Sequence, residues 1–178
     1  KTAREAKPGL QVGLVATMGY LHQGHLQLVE AARQDCDLVV VSIFVNPLQF
    51  NESSDFDKYP VDLERDFQLC EDAGVDLVFQ PTPAEMYPEP PLLKMEMPDL
   101  TFHMCGEYRP GHFEGVLIVV ASLLLLSGAD RAYFGKKDYQ QYKIIDRMAR
   151  DLEIPVRIEG VPTVREASGV AMSSRNAR

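Results

Sequence analysis

Apolar runs and amphipathic stretches alternate along this chain. Short runs rich in β-branched residues are typical of strands buried on both faces of a sheet. We predict strands over 12–17, 38–45, 75–79, 132–134 and 156–158. Between them apolar residues recur at helical spacing, which predicts helices over 24–34, 61–73, 111–126 and 138–151.

This order of elements predicts an α/β fold. We expect a doubly wound, Rossmann-like parallel sheet with helices on both faces, forming one domain over residues 1–178. The proline-rich stretch 80–99 is interpreted as a surface excursion or an oligomer contact. In such a fold, ligands bind at the carboxyl ends of the strands.

Composition narrows the possible partners. The net charge of −8, without a concentrated basic run, argues against nucleic acid as a partner. Cys36, Cys70 and Cys105 form no CxxC pair, so we expect free thiols in a reducing cytoplasm. The apolar run 116–126 is too short to span a bilayer, and we expect a soluble protein with no membrane partner.

Two histidines lie where the first predicted strand turns into a helix. The segment Thr17-Met18-Gly19 leads into His22-Gln23-Gly24-His25. Backbone N–H groups and the helix dipole favour phosphate at this point, and imidazoles add further donors. The turn therefore suits ATP and adenylyl transfer at its α-phosphate. Two alternatives remain open: ordinary capping residues, or a zinc site, although no third ligand is evident.

Further polar residues follow the other strands. Asn46 and Gln49 come after the second strand, and Gly135 to Gln141 come after the fourth. A lysine in this segment can reach phosphate, and Asp138 suits a helix N-cap, a ribose hydroxyl or magnesium. Each motif alone could be a solvated turn. Their convergence on one sheet edge favours a binding site.

Five motifs together resemble one known family. Their order and spacing resemble those of the pantothenate synthetase (pantoate–β-alanine ligase) family. The five segments are Met18–His25, Val45–Phe50, Arg109–Phe113, Phe134–Gln141 and Met172–Asn176. Within the wider nucleotidyltransferase superfamily, the first motif is of the HIGH type. Met172–Arg175 stands in place of the KMSKS-type loop.

The resemblance implies an ATP-dependent ligase. Pantoate and ATP give pantoyl adenylate and pyrophosphate, and β-alanine then displaces AMP to give pantothenate. It also implies magnesium, with ligands left open, and a homodimer. The implied catalytic residues are His25, His22 and Lys137, and the implied substrate-binding residues are Gln49, Gln141 and Asn46. The implied ATP-binding residues are Thr17, Met18, Gly19, Tyr20, Leu21, His22, Gln23, Gly24, His25, Gly135, Lys136, Lys137, Asp138, Val164, Met172, Ser173, Ser174 and Arg175.

The chain also departs from the family pattern. Ala16 replaces the usual proline, and the KMSKS-like loop and hinge at about 163–178 reach the chain's end. We therefore expect the family's smaller closing domain to be absent and ligation to be weak. The alternatives are a nucleotide-binding domain with little turnover, or another small-molecule nucleotidyltransferase. Asn46, Gln49 and Gln141 favour a hydroxy-acid substrate over a phosphorylated acceptor.

Overall fold

A computed structural model describes residues 6–177 of the chain. Its core is a five-stranded parallel sheet in the order β3-β2-β1-β4-β5. The strands are β1 (Val12–Thr17), β2 (Leu38–Ile43), β3 (Leu77–Phe79), β4 (Arg131–Gly135) and β5 (Arg157–Val161). The predicted doubly wound α/β fold is confirmed.

Helices connect the strands, and the four long ones lie within two residues of their predicted ends. The helices are α1 (Gln23–Asp35), α2 (Ser53–Asp57), α3 (Leu63–Asp72), α4 (Pro83–Met86), α5 (Pro98–Thr101), α6 (Cys105–Tyr108), α7 (His112–Ser127) and α8 (Tyr139–Asp151). Across the described residues, we find no helix with the length and apolarity needed to cross a membrane.

Some strands end at other residues than predicted, because pairing with the neighbouring strand sets the end and the apolar run does not. β2 ends at Ile43 although the apolar run continues to Val45, because its partner β1 ends at Thr17. β5 extends to Val161, past the predicted end, because it pairs with all five residues of β4. Strand ends are therefore set by the neighbouring strand, which a single apolar run does not reveal.

Apolar side chains cover both faces of the sheet. Along β1, Leu14 packs into the layer that contains Leu117 of α7 and Ile144 of α8. The next residue, Val15, faces the opposite layer with Val29 of α1. Because successive residues of a strand face opposite sides, this alternation fixes the sheet between two helical layers. With both faces of the sheet covered, the strand ends stay open for a site.

Candidate active site

A cavity of about 460 Å³ lies at the carboxyl ends of β1 and β4. Most of the residues predicted from sequence line it: Thr17, Met18, His22, Gly24, His25, Asn46, Gln49, Gly135, Lys137, Asp138, Gln141, Val164, Met172, Ser173, Ser174 and Arg175. The structure thus brings together segments that are more than 150 positions apart in sequence.

The charge of this cavity is opposite to that of the whole chain. Its lining includes the cations Lys137, Arg109 and Arg175, and its only carboxylate among the described residues is Asp138. The chain as a whole has a formal net charge of −8. Cations concentrated in a concave site raise the local concentration of anions. The electrostatic potential of the cavity therefore favours an anionic ligand.

The histidine pair caps helix α1. His22 is the N-cap, and its Nδ1 accepts a hydrogen bond of 3.0 Å from the N–H of Gly24. Nδ1 of His25 accepts one of 3.2 Å from the N–H of His22, which completes a capping box. The capping alternative from sequence is therefore correct. It does not exclude function, because both rings also line the cavity.

These hydrogen bonds determine the tautomer of both rings. A ring nitrogen that accepts a hydrogen bond carries no proton, so in each neutral imidazole the proton is on Nε2. Burial lowers the pKa of His25 to about 3, with further lowering by His22 and then Lys137. Burial, Lys137 and Arg65 also lower the pKa of His22. Both rings are neutral at physiological pH and can donate through Nε2.

Five backbone N–H groups of the same turn already have partners. Tyr20 and Leu21 each donate to the carboxylate of Asp66 at 2.7 Å, and Gly19 donates to Thr17 Oγ1 at 3.1 Å. With the two donors used in the capping box, five N–H groups of the turn are occupied. This corrects the prediction that these backbone groups bind phosphate. The imidazole Nε2 groups remain as donors in the cavity lining.

Five residues predicted to bind ATP do not line the cavity. Tyr20 and Gly19 lie behind the turn, against Arg65 and Asp66 respectively. The Leu21 side chain is buried in the core, Gln23 is exposed on α1, and Lys136 packs against Gly160 of β5. Their assignment to the ATP site therefore stays a prediction, without support from the cavity lining. Sequence adjacency to a motif does not fix the direction of a side chain.

Asn46 supports the neighbouring Gln49. Asn46 is 1% exposed, and its amide donates at 3.1 Å to both Gln49 Oε1 and the carbonyl of Gly115. Its Oδ1 accepts from Tyr87 at 2.9 Å and from the N–H of Leu48. Asn46 therefore positions Gln49, and because Asn46 also lines the cavity, its assignment to the substrate stays a prediction.

Arg109 and His112 hold the same segment from the other side. Nδ1 of His112 donates to the carbonyl oxygen of Gln49 at 2.8 Å, which leaves Nε2 facing an Arg109 nitrogen at 3.2 Å. Arg109 also donates to the Gln49 carbonyl at 3.3 Å. Sequence reasoning gave these residues no role, although their motif was part of the family resemblance. Their effect is to fix the Gln49 backbone at the cavity wall.

The C-terminal segment packs directly on the histidine turn. Ser174 Oγ donates to the carbonyl of Tyr20 at 3.1 Å. Arg175 forms an ion pair of 2.9 Å with Asp55 and lies 5.4 Å from the centre of the Tyr59 ring. The Ser174 hydroxyl thus contacts the histidine turn, and the Arg175 guanidinium lines the same cavity as the imidazoles.

Comparisons with known proteins identify relatives over nearly the whole chain. The chain is 56% identical over 168 residues to pantothenate synthetase of Moorella thermoacetica, covering 94% of this chain and 59% of that protein. It is 54% identical over 168 residues to pantothenate synthetase of Aquifex aeolicus, with coverage of 94% and 60%. The chain thus spans about 60% of the length of these curated relatives.

Solved structures show the same relationship. Pantothenate synthetase from Thermus thermophilus superposes with a TM-score of 0.91 at 56% identity, covering 99% of this chain and 64% of that chain. Pantoate-beta-alanine ligase from Francisella tularensis, complexed with beta-gamma ATP and beta-alanine, gives a TM-score of 0.95 at 40% identity. Coverage there is 99% of this chain and 68% of the other. A family model described as pantoate-beta-alanine ligase matches residues 1–178, and this chain belongs to that family.

Proposed function

We propose that the chain carries the catalytic domain of an ATP-dependent ligase that condenses pantoate with β-alanine. The observation that carries this proposal is the pair of neutral imidazoles whose Nε2–H groups are left for a ligand. They lie with Lys137 and Arg175 in a cavity lined by a single carboxylate among the described residues. This donor set suits a triphosphate whose α-phosphate reacts.

The first step joins pantoate to AMP. A carboxylate oxygen of pantoate attacks the α-phosphorus, the bond to the bridging oxygen of pyrophosphate breaks, and pyrophosphate leaves with that electron pair. A carboxylate needs no general base, so catalysis consists of positioning and charge stabilisation. His22 and His25 donate to the α-phosphate as negative charge moves during transfer. Lys137 and Arg175 neutralise the outgoing phosphates.

Gln49 and Gln141 are proposed to orient pantoate. Both line the cavity beyond the histidines, and their amides can bind hydroxyl and carboxylate groups. Gln49 is held by Asn46 at its side chain and by His112 at its carbonyl. Such support fixes the pantoate carboxylate in line with the phosphorus, and geometric precision of this kind governs the rate.

The second step forms the amide. The β-alanine nitrogen attacks the acyl carbon of pantoyl adenylate, the acyl–oxygen bond breaks, and AMP leaves. One proton departs from the nitrogen, and its acceptor stays unassigned. The structure of the Francisella relative complexed with beta-gamma ATP and beta-alanine supports a protein that binds both of these substrates.

Magnesium is proposed to enter with ATP. Asp138 is the one carboxylate lining the described cavity, and no cluster of three His, Cys, Asp or Glu side chains occurs among the described residues. This donor set fits an ion held by one carboxylate, water and the phosphates of the nucleotide. When bound, magnesium supplies charge neutralisation at the β- and γ-phosphates.

Two further proposals concern the cellular setting. The three cysteines are free, which supports the reducing cytoplasm expected from sequence. The family resemblance supports a homodimer. Leu92 is 97% exposed and Leu93 66% exposed in the proline-rich stretch, and such apolar side chains favour an oligomer contact there. Sedimentation equilibrium measures the oligomeric state directly.

Pyrophosphate exchange distinguishes the proposed reaction from its alternatives. We expect exchange of labelled pyrophosphate into ATP only when pantoate is added. Other hydroxy acids should give little exchange, and phosphorylated alcohols none. Exchange driven by a phosphorylated alcohol would favour another nucleotidyltransferase. ATP binding without any exchange would favour a nucleotide-binding domain that lacks turnover.

A further inference from the structure

Asp66 is a buried carboxylate that the proposed reaction does not use directly. It lies on α3 and is 0% exposed, and it does not line the cavity. Its Oδ2 accepts from the N–H of Tyr20, and its Oδ1 accepts from the N–H of Leu21, both at 2.7 Å. Among the described residues, no lysine, arginine or histidine forms an ion pair with it. Within the described part of the chain, the hydrogen-bond donors to this carboxylate are these two backbone N–H groups.

Burying a carboxylate is unfavourable unless its oxygens accept strong hydrogen bonds. Here both bonds come from consecutive residues just before the N-cap His22. Tyr20 adopts a φ of +51°, a left-handed conformation that non-glycine residues rarely adopt. Such a conformation persists only where the surroundings impose it. The carboxylate therefore fixes an otherwise unfavourable bend in the chain.

Space on the other side of this bend is also restricted. Gly19 has a φ of +81°, and a Cβ added there would lie 2.9 Å from Oδ2 of Asp66 and 3.0 Å from Cγ2 of Ile43. The chain thus turns tightly around the carboxylate before it enters α1. A small shift of Asp66 would move the residues that precede the histidine pair.

We propose that Asp66 is a positioning residue for the histidine pair. By holding Tyr20 and Leu21, it sets the direction in which His22 enters α1, so that both Nε2–H groups face the cavity. The identity of the ligand rests on the proposed function, but the positioning itself does not. Asp66 lies on α3, more than 40 positions after the histidine turn in sequence. Helix α3 and the sheet therefore jointly define the conformation of that turn.

Nitrogen-15 spectra of the histidine rings test this role without any ligand. In the wild type we expect both rings to be protonated at Nε2 and unprotonated at Nδ1. Asp66→Asn keeps the volume but places an NH₂ group against a backbone N–H. We expect the His25 ring to lose its single tautomer and its pKa to rise from about 3 towards 6.5. Losing one charge-assisted hydrogen bond should weaken ATP binding roughly tenfold.

Asp62→Ala is the matched control on the same helix. Asp62 is the N-cap of α3 and accepts from the N–H of Arg65, but it does not contact the histidine turn. This variant should lower the melting temperature and leave both ring spectra unchanged. If Asp62→Ala alters the ring spectra as strongly as Asp66→Asn does, the role is merely structural and the proposal is overturned.

Gly19→Ala provides a second test if Asp66→Asn does not fold. The added methyl group displaces the carboxylate while keeping its charge, so the same ring changes are expected. Unchanged ring spectra in every folded variant would overturn the proposal. Failure of the wild type to bind ATP would instead contradict the proposed function, because the ring spectra report on Asp66 independently.

Discussion

The two walls of the cavity differ in how their polar and charged groups are held. On one wall, the histidine turn is packed on the core, and its hydrogen bonds are internal. On the other wall, the charged groups are exposed and paired with nearby carboxylates. Lys137 lies 3.2 Å from Asp138, and Arg175 lies 2.9 Å from Asp55.

Because of this difference, one wall fixes the geometry of the site and the other provides its positive charge. Exposed ion pairs contribute about 0–1 kcal/mol, so a phosphate can replace the carboxylate partner at little cost. A buried hydrogen-bond network has no comparable freedom, because each lost bond leaves a desolvated group. In the proposed function, the buried wall supplies fixed neutral donors, and the exposed wall supplies cations that can adjust to the ligand.

Removing a fixed donor should have the largest effect. We expect His25→Ala to slow pantoate-dependent pyrophosphate exchange by about 10²-fold or more, because a preorganised donor to the reacting phosphate is lost. His103→Ala, at an exposed histidine outside the cavity, serves as the control. An unchanged exchange rate in His25→Ala would leave this histidine with a capping role only.

Removing a cation from the exposed wall should have a smaller effect. Lys137→Met is expected to weaken ATP binding roughly tenfold, since one charge-assisted phosphate contact disappears. Lys136→Met should weaken it much less, because Lys136 packs against Gly160 outside the cavity. Calorimetric titration with ATP compares the two variants. Equal losses would show that net charge matters rather than position.

The buried wall should also make stability depend on pH. The pKa of His25 is about 3 in the folded protein against an ordinary value of 6.5, so the unfolded chain binds more protons between these values. Stability is therefore fully present above about pH 6.5 and falls as the pH decreases towards 3. His25→Asn keeps an acceptor for the His22 N–H without a titrating ring. Melting temperatures from pH 7.5 to 4.5 should fall less steeply in this variant, and identical slopes would contradict the assignment.

Releasing Arg175 should have the smallest effect. Asp55→Asn removes the charge that pairs with Arg175 and should tighten ATP binding by no more than about fivefold, in keeping with an exposed pair. Asp57→Asn makes the same change in charge on an exposed residue of the same helix. Weaker binding in Asp55→Asn alone would mean that Asp55 orients Arg175 for the ligand.

Sequence patterns predicted most of the fold because each long element carries its own periodicity. Strand β1 was predicted with its observed ends, since Gln11 precedes the apolar run and the turn follows Thr17. β5 was predicted too short, because Glu159 and Gly160 interrupt the apolar run while pairing with β4 continues. Pairing between distant strands is not encoded in a local pattern.

The sequence predicted several of the residues that line the site, but not the contacts that hold them in place. Motifs at the strand ends identified His22, His25 and Lys137, which all line the cavity. The direction of Leu21 and the support from Asp66 were missed, because both depend on packing against α3. A buried aspartate in a polar, amphipathic helix looks like any solvated residue of that helix. Only the three-dimensional contacts distinguish it.

The most direct test of the two-wall account is a titration of the histidine rings with ATP. Nitrogen-15 spectra at pH 7.5 should show both rings unprotonated at Nδ1 before and after addition. The Nε2 signals of His22 and His25 should shift as ATP binds, while those of His103 stay in place. Rings protonated at both nitrogens, or Nε2 signals unmoved by saturating ATP, would contradict the claim that neutral imidazoles bind the nucleotide.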